Sequence, residues 1–337
     1  MKTQVNLIHH RSWIFPTLLG LLFIISLHIG AVQTSIFAAF NGSSLQKSVL
    51  WDLRLPRSLG AMLIGAMLAV SGAALQGIFR NPLIDAGIIG VTTGASFSAV
   101  VVLSLSFLLP TAIQHVLGIY ILPVFAFIGS LVVCLVIYNF SRRWGKTDVY
   151  LLILAGIALN AIFGALTGFI IYLSDDIAIR SFTFWSMGDL GGITWQKLML
   201  IFPVAIFCIV FFLRQVKTLD ALSLGDSSAF SMGVSPDRVN RSIIFVSALC
   251  VGVAVAFCGA IGFVGLVVPH IIRTWFGPSH RMVIPFSIWG GAILLLLADV
   301  FSRTLIQPAE LPIGIITSVV GGPFFLYLLF KQKRQLL

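Results

Sequence analysis

From residue 86 to residue 141 the chain carries no Asp, Glu, Lys or Arg. Further charge-free windows cover 12–46, 58–79, 149–174, 198–213, 242–272, 282–298 and 311–330. Crossing the hydrocarbon core of a bilayer takes roughly 20 predominantly apolar residues in a helix. At that depth every backbone polar group must be satisfied internally, which makes helices the natural form for such segments. Two windows are too long for one span. The first breaks at Pro110 and the polar pair Gln114-His115, giving two spans. The window 242–272 breaks at Gly259-Ala260-Ile261-Gly262, giving one span and a shorter, tilted or partly re-entrant one. The expectation is an all-α polytopic membrane protein with about ten transmembrane helices, built as a single transmembrane domain over 1–337.

Composition agrees with the windows. Of the 337 residues 58% are hydrophobic and 9% charged, with a mean hydropathy of +1.06. A soluble chain of this length needs far more charge. The net charge of +10 does not point to nucleic acid, because the basic residues are scattered in short connections with no basic, aromatic-interleaved stripe. Lys and Arg instead accumulate on the cytoplasmic side of membranes. With ten spans and the N-terminus inside, the inner connections and ends hold 15 basic residues and the outer ones 6. Both termini are therefore expected in the cytoplasm. The run from Trp13 to about Ala39 is too long for a signal-peptide core and reads as an uncleaved first span, although Ala38-Ala39 is small enough for cleavage.

Several chemistries have no residues to carry them. Cys134, Cys208, Cys250 and Cys258 lie in apolar runs without a CxxC spacing, so neither a zinc site nor a disulfide framework is expected. No Walker A, HExxH or nucleophile-elbow motif occurs, which leaves no catalytic residues, no metal site and no cofactor on this chain. Ion-coupled transporters carry ionisable groups in mid-span. Here Asp52, Asp85, Asp148, Asp175, Asp176, Asp189, Asp220, Asp226, Asp237, Asp299 and Glu310 all fall at or beyond expected span ends. If the chain moves a solute uphill, the energy arrives through another protein.

One polar stretch stands out between apolar neighbours, LDALSLGDSSAFSMGV (219–234), inside a cytoplasmic segment 214–241 between spans six and seven. Leu219, Leu222 and Leu224 recur at near-helical spacing, and Gly225 can end that short helix. Asp226 can cap a second one carrying Ala229, Phe230 and Met232, closed by Gly233. Such a pair offers apolar teeth, Leu222, Leu224, Phe230 and Met232, to a groove on a partner. It is equally a surface loop lying on the bilayer. The spans are rich in small residues, as in GAMLAVSGAALQG (65–77) and LAGIALNAIFGALTG (154–168), which lets helices approach closely.

Six segments in chain order resemble the permease subunits of the FecCD type, the type II ATP-binding-cassette importers for iron–siderophores, haem and cobalamin. They are LRLPRSLGAMLIGAMLAVSGAALQGIFRNPLIDAGIIGVTTGAS (53–96), LLILAGIALNAI (151–162), WSMGDLGGITW (185–195), the hairpin above, GAIGFVGLVVPHIIRTWFGPSHR (259–281) and LLLLADVFSRTL with AELPIGIITSVVGGPFFLYLL (294–329). The resemblance spans nearly the whole chain and is weakest over 1–45. It implies ten helices, a second permease subunit (a copy or a sister chain), two copies of a separate ATPase that holds ATP and Mg²⁺, and an extracytoplasmic substrate-binding protein. It also implies a bacterial cytoplasmic membrane and an iron(III)–siderophore cargo, with cobalamin or haem as alternatives. From a different class, an ion-gradient-driven secondary transporter and a passive channel remain to be weighed.

The resemblance also assigns residues. Leu222, Leu224, Gly225, Asp226, Ala229, Phe230, Met232 and Gly233 form the element that fits a cleft on the ATPase. Arg54, Arg57 and Arg303 pair with carboxylates of the binding protein, against the alternatives of headgroup binding or an internal pair such as Arg303 with Asp299. RNPLIDAG (80–87) resembles the inner gate and points to Asn81 and Leu83, and SRRWGKTD (141–148) matches a second gate region in position. The fifth span, with Asn160 and Thr167, is the candidate pathway wall. His270 is read as a packing residue rather than an iron ligand.

Overall fold

The computed structural model describes residues 13–30, 43–105, 118–143 and 146–335. Among them the chain is helical apart from short connections and a two-residue antiparallel ladder, in which Arg142 pairs with Thr147 and Arg143 with Lys146. The helices are α1 (Ile14–His28), α2 (Ser44–Ile78, with a π-helical segment at Val49–Arg54), α3 (Val91–Leu105), α4 (Ile121–Phe140), α5 (Val149–Leu173), α6 (Asp176–Ser186) and α7 (Trp195–Arg214). They continue as α8 (Val216–Ser223), α9 (Asp226–Ser231), α10 (Pro236–Cys258), α11 (Val264–Phe276), α12 (His280–Thr304) and α13 (Ile313–Gln335). Six of them, α2, α4, α5, α7, α10 and α12, are long and apolar enough to cross a membrane, α4 together with the 3₁₀ turn before it. Shorter apolar helices, Ile14–His28, Val91–Leu105, Val264–Phe276 and Ile313–Leu328, occupy the remaining windows. Length and composition alone thus account for six of the ten expected crossings.

The expected break at Gly259–Gly262 is present. α10 stops at Cys258, Gly259 takes φ +69, and the 13-residue α11 follows. The break at Pro110 and Gln114-His115, and the pair Ala38-Ala39, lie outside the described residues. Two helices run past their charge-free windows. α2 begins at Ser44 rather than near 58 and carries Asp52, Arg54 and Arg57, while α12 continues to Thr304 and takes in Asp299 and Arg303. Asp299 is therefore within a helix and fully buried, not beyond a span end.

Many of the remaining acids have local duties. Asp148 caps α5 by accepting from the N–H of Tyr150 and Leu151, and Asp175 caps α6 by accepting from Ala178. Asp85 accepts from Ala86 at the head of the 3₁₀ turn Ala86–Ile89. These bonds satisfy N–H groups that a helix start leaves free.

The chain divides into two compact units with boundaries inside α2 and near 188, 216 and 260. The first holds α1, most of α2, α7, α11, α12 and α13. Small residues set its packing: a Cβ on Gly65 of α2 would overlap the carbonyl oxygen of Gly291 on α12, and one on Gly291 would overlap that of Gly65. Bare glycine faces let two backbones touch, the close approach favoured between helices in lipid. The second unit holds α3–α6 and α8–α10. Within it, α3 meets α4 at Gly94 and Gly129 in the same manner. α5 packs along one stripe, Leu152, Gly156, Asn160, Phe163 and Thr167, and leaves its other faces exposed.

Candidate functional site

In the second unit the polar stretch folds as a pair of short helices. α8 buries Leu219, Ala221 and Leu222, and α9 buries Ala229. Gly225, at φ +108, separates them in a backbone conformation that L side chains rarely adopt. Gly233, at φ +81, donates to Phe230 O, and Val234 N–H reaches back to Ala229 O at 3.0 Å. This is the 6→1 and 5→2 closure typical of a glycine-terminated helix. Leu224, Phe230 and Met232 are 66%, 73% and 62% exposed, so three apolar side chains stand clear of the unit that carries them. Two expectations need correction. Leu222 is not a tooth, because it anchors the pair inward together with Ala229. Asp226 is not the cap of α9 either; Gly225 holds that position and Asp226 lies in the first turn.

Asp226 has another partner. The Arg80 guanidinium forms an ion pair with Asp226 Oδ1 and donates through Nε to Leu222 O at 3.0 Å. One side chain thus serves a carbonyl near the end of α8 and a carboxylate at the start of α9, and sequence reasoning missed it. Its backbone carried the signal that was available only in three dimensions. Arg80 sits at φ +49 just past the end of α2, with Arg80 N–H on Gly77 O and Asn81 N–H on Gln76 O. Glycine normally fills that left-handed position, and a side chain there costs about 1–2 kcal/mol.

The turn after Arg80 contains the expected gate residues. Asn81 is exposed, and its Oδ1 accepts from Leu83 N–H at 3.0 Å. The buried Gln76 donates to Ile84 O at 3.3 Å, fixing the turn to the end of α2. Burial pushes the Asp85 carboxyl above its ordinary range, while the Ala86 N–H pulls the other way. In the second gate region, Trp144 and Gly145 lie outside the described residues. Thr147 N–H donates to Asp237 Oδ1 in the first turn of α10 at 3.1 Å.

Asn160 and Thr167 do not face an open surface as expected of a pathway wall. Both lie on the packed stripe of α5. Asn160 Nδ2 donates to Gly87 O at 3.1 Å, pinning the 3₁₀ turn, and Thr167 Oγ1 donates to Phe163 O within its own helix at 2.7 Å.

The first unit holds a buried ionic cluster. Arg57 Nε donates to Asp299 Oδ1 at 2.7 Å and Arg57 Nη1 to Glu310 Oε2 at 2.7 Å. Arg303, one turn after Asp299, pairs its Nη2 with Asp299 Oδ2 at 2.9 Å. Arg303 Nη1 also donates to Ser26 O at 3.2 Å, and Arg54 Nη1 to Leu27 O at 2.8 Å and His28 O at 3.0 Å. Those carbonyls end α1, where a helix leaves acceptors unserved and carries partial negative charge. The resemblance assigns the three arginines to carboxylates of a binding protein, with an internal pair of Arg303 and Asp299 as an alternative; all three are buried with internal partners, and that pair is present. Asp299 and Glu310 compensate two of the three guanidiniums. A cavity of about 330 Å³ remains open beside them, lined by Gly30, Val49, Leu53, Arg54, Arg57, Gly191, Arg303 and Glu310.

His270 packs edge-on against Phe324 with ring centroids 5.9 Å apart. Among the described residues no group of three His, Cys, Asp or Glu side chains could hold a metal, and the four cysteines are buried and outside any disulfide.

Comparison with known proteins gives a consistent set. The model of the FecCD transport family matches residues 18–331. The chain is 42% identical over 322 residues to the hemin transport system permease protein HmuU of Yersinia pestis, covering 94% of each. It is 39% identical over 306 residues to the vitamin B12 import system permease protein BtuC of Vibrio vulnificus, covering 91% of this chain and 89% of that one. A solved structure of a metal-chelate type ABC transporter in an inward-facing conformation superposes with a TM-score of 0.83 at 33% identity. That match covers 95% of this chain and 98% of the other.

Proposed function

Since the chain belongs to the FecCD transport family, we propose that it is the permease subunit of an ATP-driven importer that brings an iron-bearing chelate across the cytoplasmic membrane of a bacterium. The cargo we favour is an iron(III)–siderophore or haem, with cobalamin as the alternative. A relative named for hemin and a solved neighbour named for metal chelates support the iron reading, and a relative named for vitamin B12 supports the alternative. Both termini face the cytoplasm in this reading.

The observation that carries it is the α8–α9 pair. Anchored by Leu219, Leu222 and Ala229, and clamped by Arg80, it presents Leu224, Phe230 and Met232 without an intramolecular reason for their exposure. Exposed apolar side chains on a short rigid helix suit a hydrophobic groove on a partner. The partner is a separate ATPase, present as two copies, that binds ATP and Mg²⁺. A second permease subunit completes the pathway by covering exposed faces of α5. Most of the acids are capping, hydrogen-bonded or ion-paired, which leaves a gradient-driven mechanism little to work with.

In this reading the extracytoplasmic binding protein docks over the arginine cluster. Because Arg57 already holds Glu310 at the cavity mouth, an incoming carboxylate takes its place by exchange rather than by meeting a free cation. Charge pairing of this kind sets orientation and encounter rate more than affinity.

Uptake of labelled ferric hydroxamates, ferric catecholates, haem and cobalamin in a strain lacking this chain tests the assignment. Loss and restoration of one iron chelate with the gene, dependent on the ATPase, is expected. Uptake that survives deletion of the ATPase, or that follows cobalamin alone, rejects it.

A further inference from the structure

Arg80 joins two pieces that the reading above treats separately, the ATPase-facing helix pair and the turn Asn81–Leu83. It follows the last turn of α2 and opens that turn, and its guanidinium spans the break between α8 and α9. Within the second unit the contacts form a chain. Leu222 O and the Asp226 carboxylate bind the guanidinium, and the Arg80 backbone is hydrogen-bonded to the end of α2. Gln76, from the same helix end, holds Ile84 O, and Asn81 holds the N–H of Leu83.

The backbone at Arg80 argues that the side chain is the purpose of the position. A glycine would close α2 without strain, yet the chain keeps a bulky residue in a left-handed conformation there. An arginine presents its donors in a fixed planar fork, so it can hold a carbonyl and a carboxylate together in one geometry.

We propose that Arg80 is the positioning residue that transmits movement of the α8–α9 pair to the Asn81–Leu83 turn. The proposal rests on the reading of α8–α9 as the ATPase-docking element and of the turn as the inner closure. When the pair is displaced, the turn follows through a single guanidinium. Without it, the pair moves and the turn does not.

The test uses the whole complex, permease with ATPase and binding protein, reconstituted in proteoliposomes with whichever of haem, a ferric hydroxamate, a ferric catecholate or cobalamin the unaltered complex concentrates. Arg80→Gly removes the guanidinium and relieves the backbone. Its melting temperature should hold or rise, the ATPase should still co-purify, and ATP turnover should persist. Uptake per ATP should fall about tenfold, within the range expected when one coupling contact is lost. Arg80→Asn, which tolerates the same backbone conformation, should behave alike and serves if the glycine variant fails to accumulate. Arg80→Glu combined with Asp226→Arg should recover part of the uptake that either change alone removes. Normal uptake per ATP in Arg80→Gly and Arg80→Asn overturns the proposal, as does loss of ATPase association in both. Phe230→Asp separates the two ideas. If it leaves ATPase association intact, the docking reading itself fails; if it abolishes association while Arg80→Gly transports normally, only the transmission role does.

Discussion

Arg57 on α2 and Asp299 on α12 are 242 positions apart in sequence, and their side chains meet at 2.7 Å. Asp299 is fully buried, and its other oxygen faces Arg303 at 2.9 Å. Removing the acid alone leaves Arg57 only the half-exposed Glu310 and Arg303 only carbonyls, and breaking a buried pair in this way costs about 3–5 kcal/mol. Asp299→Asn keeps the volume and loses the charge, so its thermal midpoint in detergent should fall well below that of the parent. An unchanged midpoint would mean that the arginines find other partners.

Glu310 behaves differently. Its side chain is 47% exposed, so its pair with Arg57 is screened by solvent and contributes at most about 1 kcal/mol. Glu310→Gln should leave the melting curve nearly unchanged and speed capture of the loaded binding protein, because Arg57 no longer has a resident competitor. Surface-plasmon-resonance association rates read this directly. Slower capture contradicts the exchange.

Phe230 stands 73% exposed on α9. Exposed substitutions away from special features usually change stability by within about 0.5 kcal/mol. Phe230→Asp should therefore melt like the parent and yet fail to retain the ATPase on co-purification. Retention at parental levels argues that the hairpin lies on the membrane surface instead.

Gly225 should be sensitive for a backbone reason. At φ +108 a β-branched residue is strained by about 1–3 kcal/mol, while open space around the site removes any steric objection. Gly225→Val is expected to loosen the α8–α9 junction, seen as faster amide exchange confined to 219–234. Gly225→Ala should show a smaller change of the same sign.

Asp85 gives a pH signature. Burial raises its carboxyl in the folded chain, so the folded state holds its proton to higher pH than the unfolded state does. The associated stability is present below the unfolded value of about 4 and is lost as pH climbs through the folded value. Asp85→Asn retains an acceptor for Ala86 N–H and has no proton to lose. Its melting temperature relative to the parent should increase as pH rises above about 4, and a constant difference would contradict the burial effect.

The helices were legible because charge is costly in hydrocarbon, so charge-free windows mark them without knowledge of tertiary structure. The same rule misplaced the start of α2 and the end of α12. Arg54, Arg57, Asp299 and Arg303 are tolerated in helices because they neutralise one another or serve carbonyls of α1, and that pairing is invisible to a local window. The hairpin was legible from Gly225 and Gly233, yet the side on which Leu222 would fall was not, since short apolar residues on a two-turn helix suit either face. In α5 the lack of a polar face removed any sequence cue to inside and outside. Asn160 and Thr167 were the only hydrophilic marks among its candidates for a pathway, and a neighbouring carbonyl and the helix's own backbone claimed them.

The long sequence separation within the ionic cluster has a consequence for biosynthesis. α2 leaves the ribosome with Arg57 at its head, and its buried counter-ion, Asp299, arrives only with α12, 242 positions later. Until then that guanidinium relies on water or lipid headgroups, so the first unit locks late, only once α12 has been inserted. A nascent chain halted before residue 299 should accordingly be extracted or degraded far faster than one released a few dozen codons later.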